Sequence, residues 1–166
     1  MKFLFSGRVR FLVLLGATLA ALAALPVEAA LADGNGAQTS TQTFHNVVQS
    51  GPDQSPCTGD PGTLTTNLNG VFHLTINSSG SWFHGTLTGS LLFVPDDSSL
   101  PTYSGQVTNT FGNETNLQNG VFHFASNIEA LGSDGSHLKF HGNGVVTLNA
   151  EGIVTVSFSF ENFVCG

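Results

Sequence analysis

From Thr63 to Val164 one pattern repeats, with large apolar side chains at every second position and Gly, His, Ser, Thr or Asn between them. In Asn69-Gly70-Val71-Phe72-His73-Leu74-Thr75-Ile76, Phe72, Leu74 and Ile76 share one side of an extended chain, and Val71, His73 and Thr75 the other. A period of two marks a strand with one buried face, because successive side chains point to opposite sides of a sheet. No stretch after the first 32 residues repeats at helical spacing. The expectation is an all-β domain.

The alternation predicts seven strands: Thr41–Val48, Thr63–Asn77, Trp82–Val94, Thr102–Phe111, Gly120–Leu131, His137–Leu148 and Ile153–Val164. In the first, Phe44, Asn46 and Val48 fall on one face; Gln49–Gly62 reads as a loop. The last six strands are joined by short connections, so chain neighbours should pair as antiparallel hairpins. Asn149-Ala150-Glu151-Gly152 has the pattern of a turn closed by a Gly bulge. That turn would pair Leu148 with Val154 and Val146 with Val156, and put Val154, Val156, Phe158 and Phe160 on the apolar side. Long strands in meander order favour a single antiparallel up-and-down barrel of seven to eight strands over residues 41–166. Closure would also remove exposed edges. The alternative is a two-sheet β-sandwich.

The first 32 residues stand apart. Lys2, Arg8 and Arg10 precede an apolar run from Phe11 to Leu25, and Pro26 and Ala30-Leu31-Ala32 follow it. This is the layout of a secretory signal peptide cleaved before Asp33. The run is shorter than the ~20 residues of a bilayer span. Residues 33–40 read as a flexible lead-in. Without the leader only Lys139 remains among the basic residues, against ten acids, a net charge of −9. Such a surface cannot neutralise phosphates, which excludes nucleic acid as a partner and disfavours an anionic membrane once the signal is removed. Cys57 and Cys165 are the only cysteines. In an exported chain two cysteines read as one disulfide, closing a loop of about a hundred residues.

Asn69-Gly70-Val71-Phe72-His73 has a second copy at Asn119-Gly120-Val121-Phe122-His123. The copies are three strands apart and so run in opposite directions in a meander. They are two solutions to one local problem, a Gly followed by a buried Phe. Five histidines (His73, His84, His123, His137 and His141) fall on the parity opposite the Phe residues. A two-residue loop at Ser78-Ser79 would put His73 opposite His84; a bulged turn would put them on different faces. His137 and His141 are about 13 Å apart on an extended strand, too far to share a metal. No HxH motif or nearby carboxylate completes a metal set, no cofactor motif is present, and no GxSxG elbow marks a catalytic serine. No catalytic residue is assigned.

The apolar parity carries more. It holds most of the eleven Phe residues of the exported portion, with Tyr103, Asn109 and Ser126 as its few polar members. An aromatic lining with one or two polar groups is the pattern of an apolar-ligand site. Candidate ligand contacts are Phe72, Phe83, Tyr103, Asn109 and Phe122. Gly85, Gly89, Gly105, Gly142 and Gly144 share this parity, and would either relieve crowding or leave room for a guest. The expected function is a binding or interaction module that holds a small apolar ligand. The alternatives are a cyclase or isomerase using the same cavity, and a structural protein with a filled core.

Six stretches resemble, in order, a family of small exported bacterial proteins associated with actinobacteria and related groups. They are Pro56-Cys57-Thr58-Gly59, Asn69-Gly70-Val71-Phe72-His73, Gly85-Thr86-Leu87-Thr88-Gly89, Pro101-Thr102-Tyr103-Ser104-Gly105, Gly132-Ser133-Asp134-Gly135-Ser136 and Cys165-Gly166. That family has no established activity, and its fold is similar to allene-oxide-cyclase-like or lipocalin-like barrels. The resemblance implies export, the disulfide and a barrel, and transfers no catalytic residue.

Overall fold

The computed structural model describes residues 36–166 apart from Pro56 and Leu117. The signal segment 1–32, residues 33–35 of the lead-in, and those two residues lie outside the described part. Seven strands follow in order: β1 (Gln38–Gln54), β2 (Pro61–Asn77), β3 (Gly80–Pro95), β4 (Tyr103–Asn116), β5 (Asn119–Gly132), β6 (His137–Asn149) and β7 (Val154–Cys165). They form one antiparallel sheet in the order β1-β2-β3-β4-β5-β6-β7, each strand paired with its chain neighbours. There is one sheet, not two, and β1 and β7 are its edges, so hydrogen bonding does not close it into a barrel.

Even so, Val107, Leu87 and Ile128 are almost wholly buried. No helix or second sheet among the described residues covers them. A lone sheet can bury one face this deeply only by curling over itself. The apolar parity is therefore the concave side. Two clusters fill it. Toward the end that carries the β1–β2, β3–β4 and β5–β6 connections, Leu68, Phe93, Tyr103, Val107, Ile128 and Phe140 form the larger one. Phe72, Leu87 and Phe111 form the smaller, with Phe44, Phe83 and Phe124 packed against it. Gly85 makes the second cluster possible: a Cβ there would meet the Phe111 ring and come within 2.6 Å of Phe72. At this position the inward glycine relieves crowding, and aromatic rings occupy the space it leaves.

The Cys57–Cys165 disulfide forms, with Cα atoms 5.9 Å apart. It ties the end of β7 to the β1–β2 loop. Around it, the Ser55 amide donates to Asp60 O at 2.8 Å and the Ser133 amide to Thr102 O at 2.9 Å, and Gly166 and His137 exchange backbone hydrogen bonds. The Ser136 and Tyr103 hydroxyls share a hydrogen bond at 3.1 Å. This end of the sheet is knotted shut by its own loops.

Three sequence expectations need correction. First, β1 starts at Gln38, inside the stretch expected as a flexible lead-in, and runs to Gln54, through part of the expected loop. Backbone pairing with the long β2 carries it past its weak apolar pattern. Second, a bulge between Phe44 and Val47 shifts the register. Asn46 takes a φ of 54°, and its amide donates to Asn69 Oδ1 at 3.1 Å. Phe44 and Val47 therefore share the inner face, and Asn46 and Val48 do not accompany Phe44 as expected. Third, the β6–β7 hairpin pairs Leu148 with Val154 as expected, but Val146 meets Ser157 because a bulge follows at Thr147. The extra residue turns the strand over. Val156, Phe158 and Phe160 consequently stand on the convex face, with Phe158 58% exposed. Ser157, Ser159, Glu161 and Phe163 take the concave side.

Candidate functional site

The end opposite the disulfide, where the β2–β3, β4–β5 and β6–β7 connections lie, is open. Here the concave faces of β4, β5 and β6 enclose a depression of about 370 Å³. Pairing explains its floor: Asn113, Phe122 and Val146 lie side by side across the three strands, and Thr115, Gly120 and Leu148 form the next row outward. With no side chain at Gly120, the nearest Leu148 atom stays 3.8 Å from where a Cβ would sit. Phe122 is 43% exposed although it faces inward, because β7 offers only Ser157 and Ser159 at this level. Asn116, Asn119 and Asn149 form the rim. Two of these are fixed by their turns. Asn116 Oδ1 accepts from the amides of Gln118 and Asn119, both at 2.8 Å. Asn149 Oδ1 accepts from Ile153 at 2.9 Å and Glu151 at 3.1 Å. The result is a floor of Phe122, Val146 and Leu148 flanked by Asn113 and Thr115, with a rim of carboxamides. It can hold a small apolar body with a polar edge.

Deeper along β5 lie Phe124 and then Ser126. Ser126 is buried, faces Asn109 across the β4–β5 pair, and its Oγ has no hydrogen-bond partner among the described residues. An unpaired buried hydroxyl is costly, on the order of 1–3 kcal/mol, unless something meets it.

The residues expected to touch a ligand do not converge. Phe72 and Phe83 are together, with ring centroids 5.6 Å apart. Asn109 lies between Leu87 and Ser126 in the pairing, midway along the sheet. Tyr103 belongs to the larger cluster at the disulfide end, its hydroxyl engaged by Ser136. Of the five, only Phe122 lines the open depression. Sequence reasoning missed the asparagine rim and the partners Val146 and Leu148. They come from the paired ends of β4, β5 and β6, and only the register across those three strands brings them together.

The charged groups are mostly away from this mouth. Asp53 is buried near the disulfide end, and its Oδ2 is unpartnered among the described residues. Burial pushes its carboxyl above the ordinary range, partly offset by the hydrogen bond from the Gln54 amide. Asp97 and Asp134 are held below it by hydrogen bonds from Ser99 and Ser136. On the convex face, the two-residue connection Ser78-Ser79 sets His73 directly opposite His84. Among the described residues no group of three or more His, Cys, Asp or Glu is placed to hold a metal, and no helix is long and apolar enough to cross a membrane. Comparison with protein-family models, curated proteins and solved structures finds no match to this chain.

Proposed function

We propose that this is an exported, barrel-like binding module that takes a small apolar ligand at its open end. The observation that carries the reading is the asparagine-rimmed depression on Phe122, Val146 and Leu148. Its size falls in the range of small-molecule sites, and its lining is apolar with a few convergent polar groups. The unpaired Ser126 hydroxyl, two inward positions beyond Phe122, supports a ligand with one polar group that reaches inward. The disulfide and the amino-terminal leader support export. In this reading the curled sheet acts as a barrel closed at the disulfide end and open at the other.

Titration with an environment-sensitive apolar fluorophore, alongside native mass spectrometry after mild purification, tests the reading. The wild-type protein should bind the probe saturably or carry a co-purified small molecule. Phe122→Ala should weaken probe binding about tenfold, equivalent to ~1.4 kcal/mol, without lowering the melting temperature much. A protein that comes out bare and binds no probe is a filled-core structural domain, and the proposal fails.

A further inference from the structure

The convex face carries a second arrangement, independent of the mouth. Pairing sets His84 opposite Gly112 and Gly112 opposite His123, so the two histidines flank a glycine across three adjacent strands. In a flat ladder, side chains two strands apart are about 10 Å from one another. Here the rings lean together over the bare Gly112 backbone until their centroids are 5.9 Å apart. A Cβ on Gly112 would come within 2.9 Å of His84 Nδ1 and would also run into the His123 ring at Nε2. Nitrogens of both imidazoles therefore converge on one small volume, and only glycine leaves it vacant. The volume adjoins a depression of about 240 Å³ bounded by Val71, Thr86, Thr110, Phe111 and the outward-turned His73, with no carboxylate in its lining.

The other histidines make the contrast. His73 is turned toward β1 by a 2.9 Å hydrogen bond between its Nδ1 and Thr41 Oγ1. His141 shares one with Asn127 at 2.6 Å. Among the described residues, the rings of His84 and His123 have no hydrogen-bond partner. When neutral they present lone pairs to a shared space, the donor set that suits zinc, copper and nickel.

We propose that His84 and His123 form a two-histidine site for a divalent transition metal ion, with water completing the coordination and Gly112 providing the clearance. Both ligands are neutral, so the ion keeps its full charge and its open positions.

The test is isothermal titration of Zn²⁺ into the tag-free protein at neutral pH. A saturable one-to-one isotherm is expected, abolished by an excess of chelator. His84→Gln and His123→Gln should each abolish it, and His137→Gln, on the same face but remote from the pair, should preserve it. Gly112→Ala should weaken it although both ligands remain. Because that variant bears on packing too, the histidine variants, checked for an unchanged melting temperature without metal, decide. Absence of saturable heat, an isotherm that survives either His84→Gln or His123→Gln, or equal loss in His137→Gln overturns the proposal.

Discussion

At the residue scale, Asp53 is the side chain whose environment most contradicts its chemistry. It points to the concave face with one oxygen unpartnered among the described residues, and burial raises its pKa above the ordinary carboxylate range. The linkage follows from that direction. Below the unfolded value, about 3.9, both states hold the proton and the group costs nothing extra. As pH rises, the unfolded chain releases its proton first, and stability falls until the folded carboxyl also ionises. Asp53→Asn keeps an acceptor for the Gln54 amide and removes the charge. It should raise the urea midpoint at about pH 7 and leave it unchanged at about pH 3, measured against wild type in the same buffers. Asp97 and Asp134 shift the other way, their stabilisation lost as pH falls through their folded values. They are common to both proteins and cancel in the difference. A midpoint at neutral pH that falls on substitution would mean that the carboxylate has a partner after all.

At the scale of the element, β7 separates what the sequence could tell from what it could not. Strands were legible because alternation is a local property: β2, β3, β5 and β6 begin and end within a few residues of the expected limits. The register of the β2–β3 hairpin could be narrowed to two cases from Asn77-Ser78-Ser79-Gly80, and pairing selects the two-residue loop. The face of β7 was not legible, since it depends on one additional residue at Thr155 in the pairing with β6. The apolar run Val154, Val156, Phe158, Phe160 looks the same whether the strand is turned in or out. β1 beyond Val48 was missed for the opposite reason: its Gln, Ser, Gly and Pro residues form a strand with almost no apolar signal. A pair of substitutions tests the orientation of β7. Phe158→Ser, on the convex face, should change the unfolding free energy by less than about 0.5 kcal/mol. Phe163→Ala removes a ring 4.4 Å from that of Phe140 and should cost roughly 2–4 kcal/mol. Urea denaturation of the two variants gives the order directly; the reverse order would restore the inward-facing strand.

At the scale of the whole molecule, the curled sheet has two unequal ends. One is sealed by loop hydrogen bonds and the disulfide, and the other leaves Phe122 and its neighbours uncovered. Phe122 was legible as an inward aromatic, but the site was not legible as a set, because its members come from three strands, β4, β5 and β6, and from the turn after β6. The bond between Cys57 and Cys165 spans 108 residues, a separation worth up to about 4–5 kcal/mol in the chain-entropy picture. Cys57→Ser should therefore lower the urea midpoint substantially, and reductant should shift the wild-type protein to the same midpoint while leaving the variant unmoved. Coincident curves for oxidised wild type and variant would show that the cross-link contributes nothing. The neighbour-only strand order has a consequence in time. Every strand finds its partner in the segment just made, so the sheet can grow by successive hairpins as the chain emerges, with no distant segment to await. The cross-link between Cys57 and Cys165 is the exception, since it joins the loop after the first strand to the end of the last.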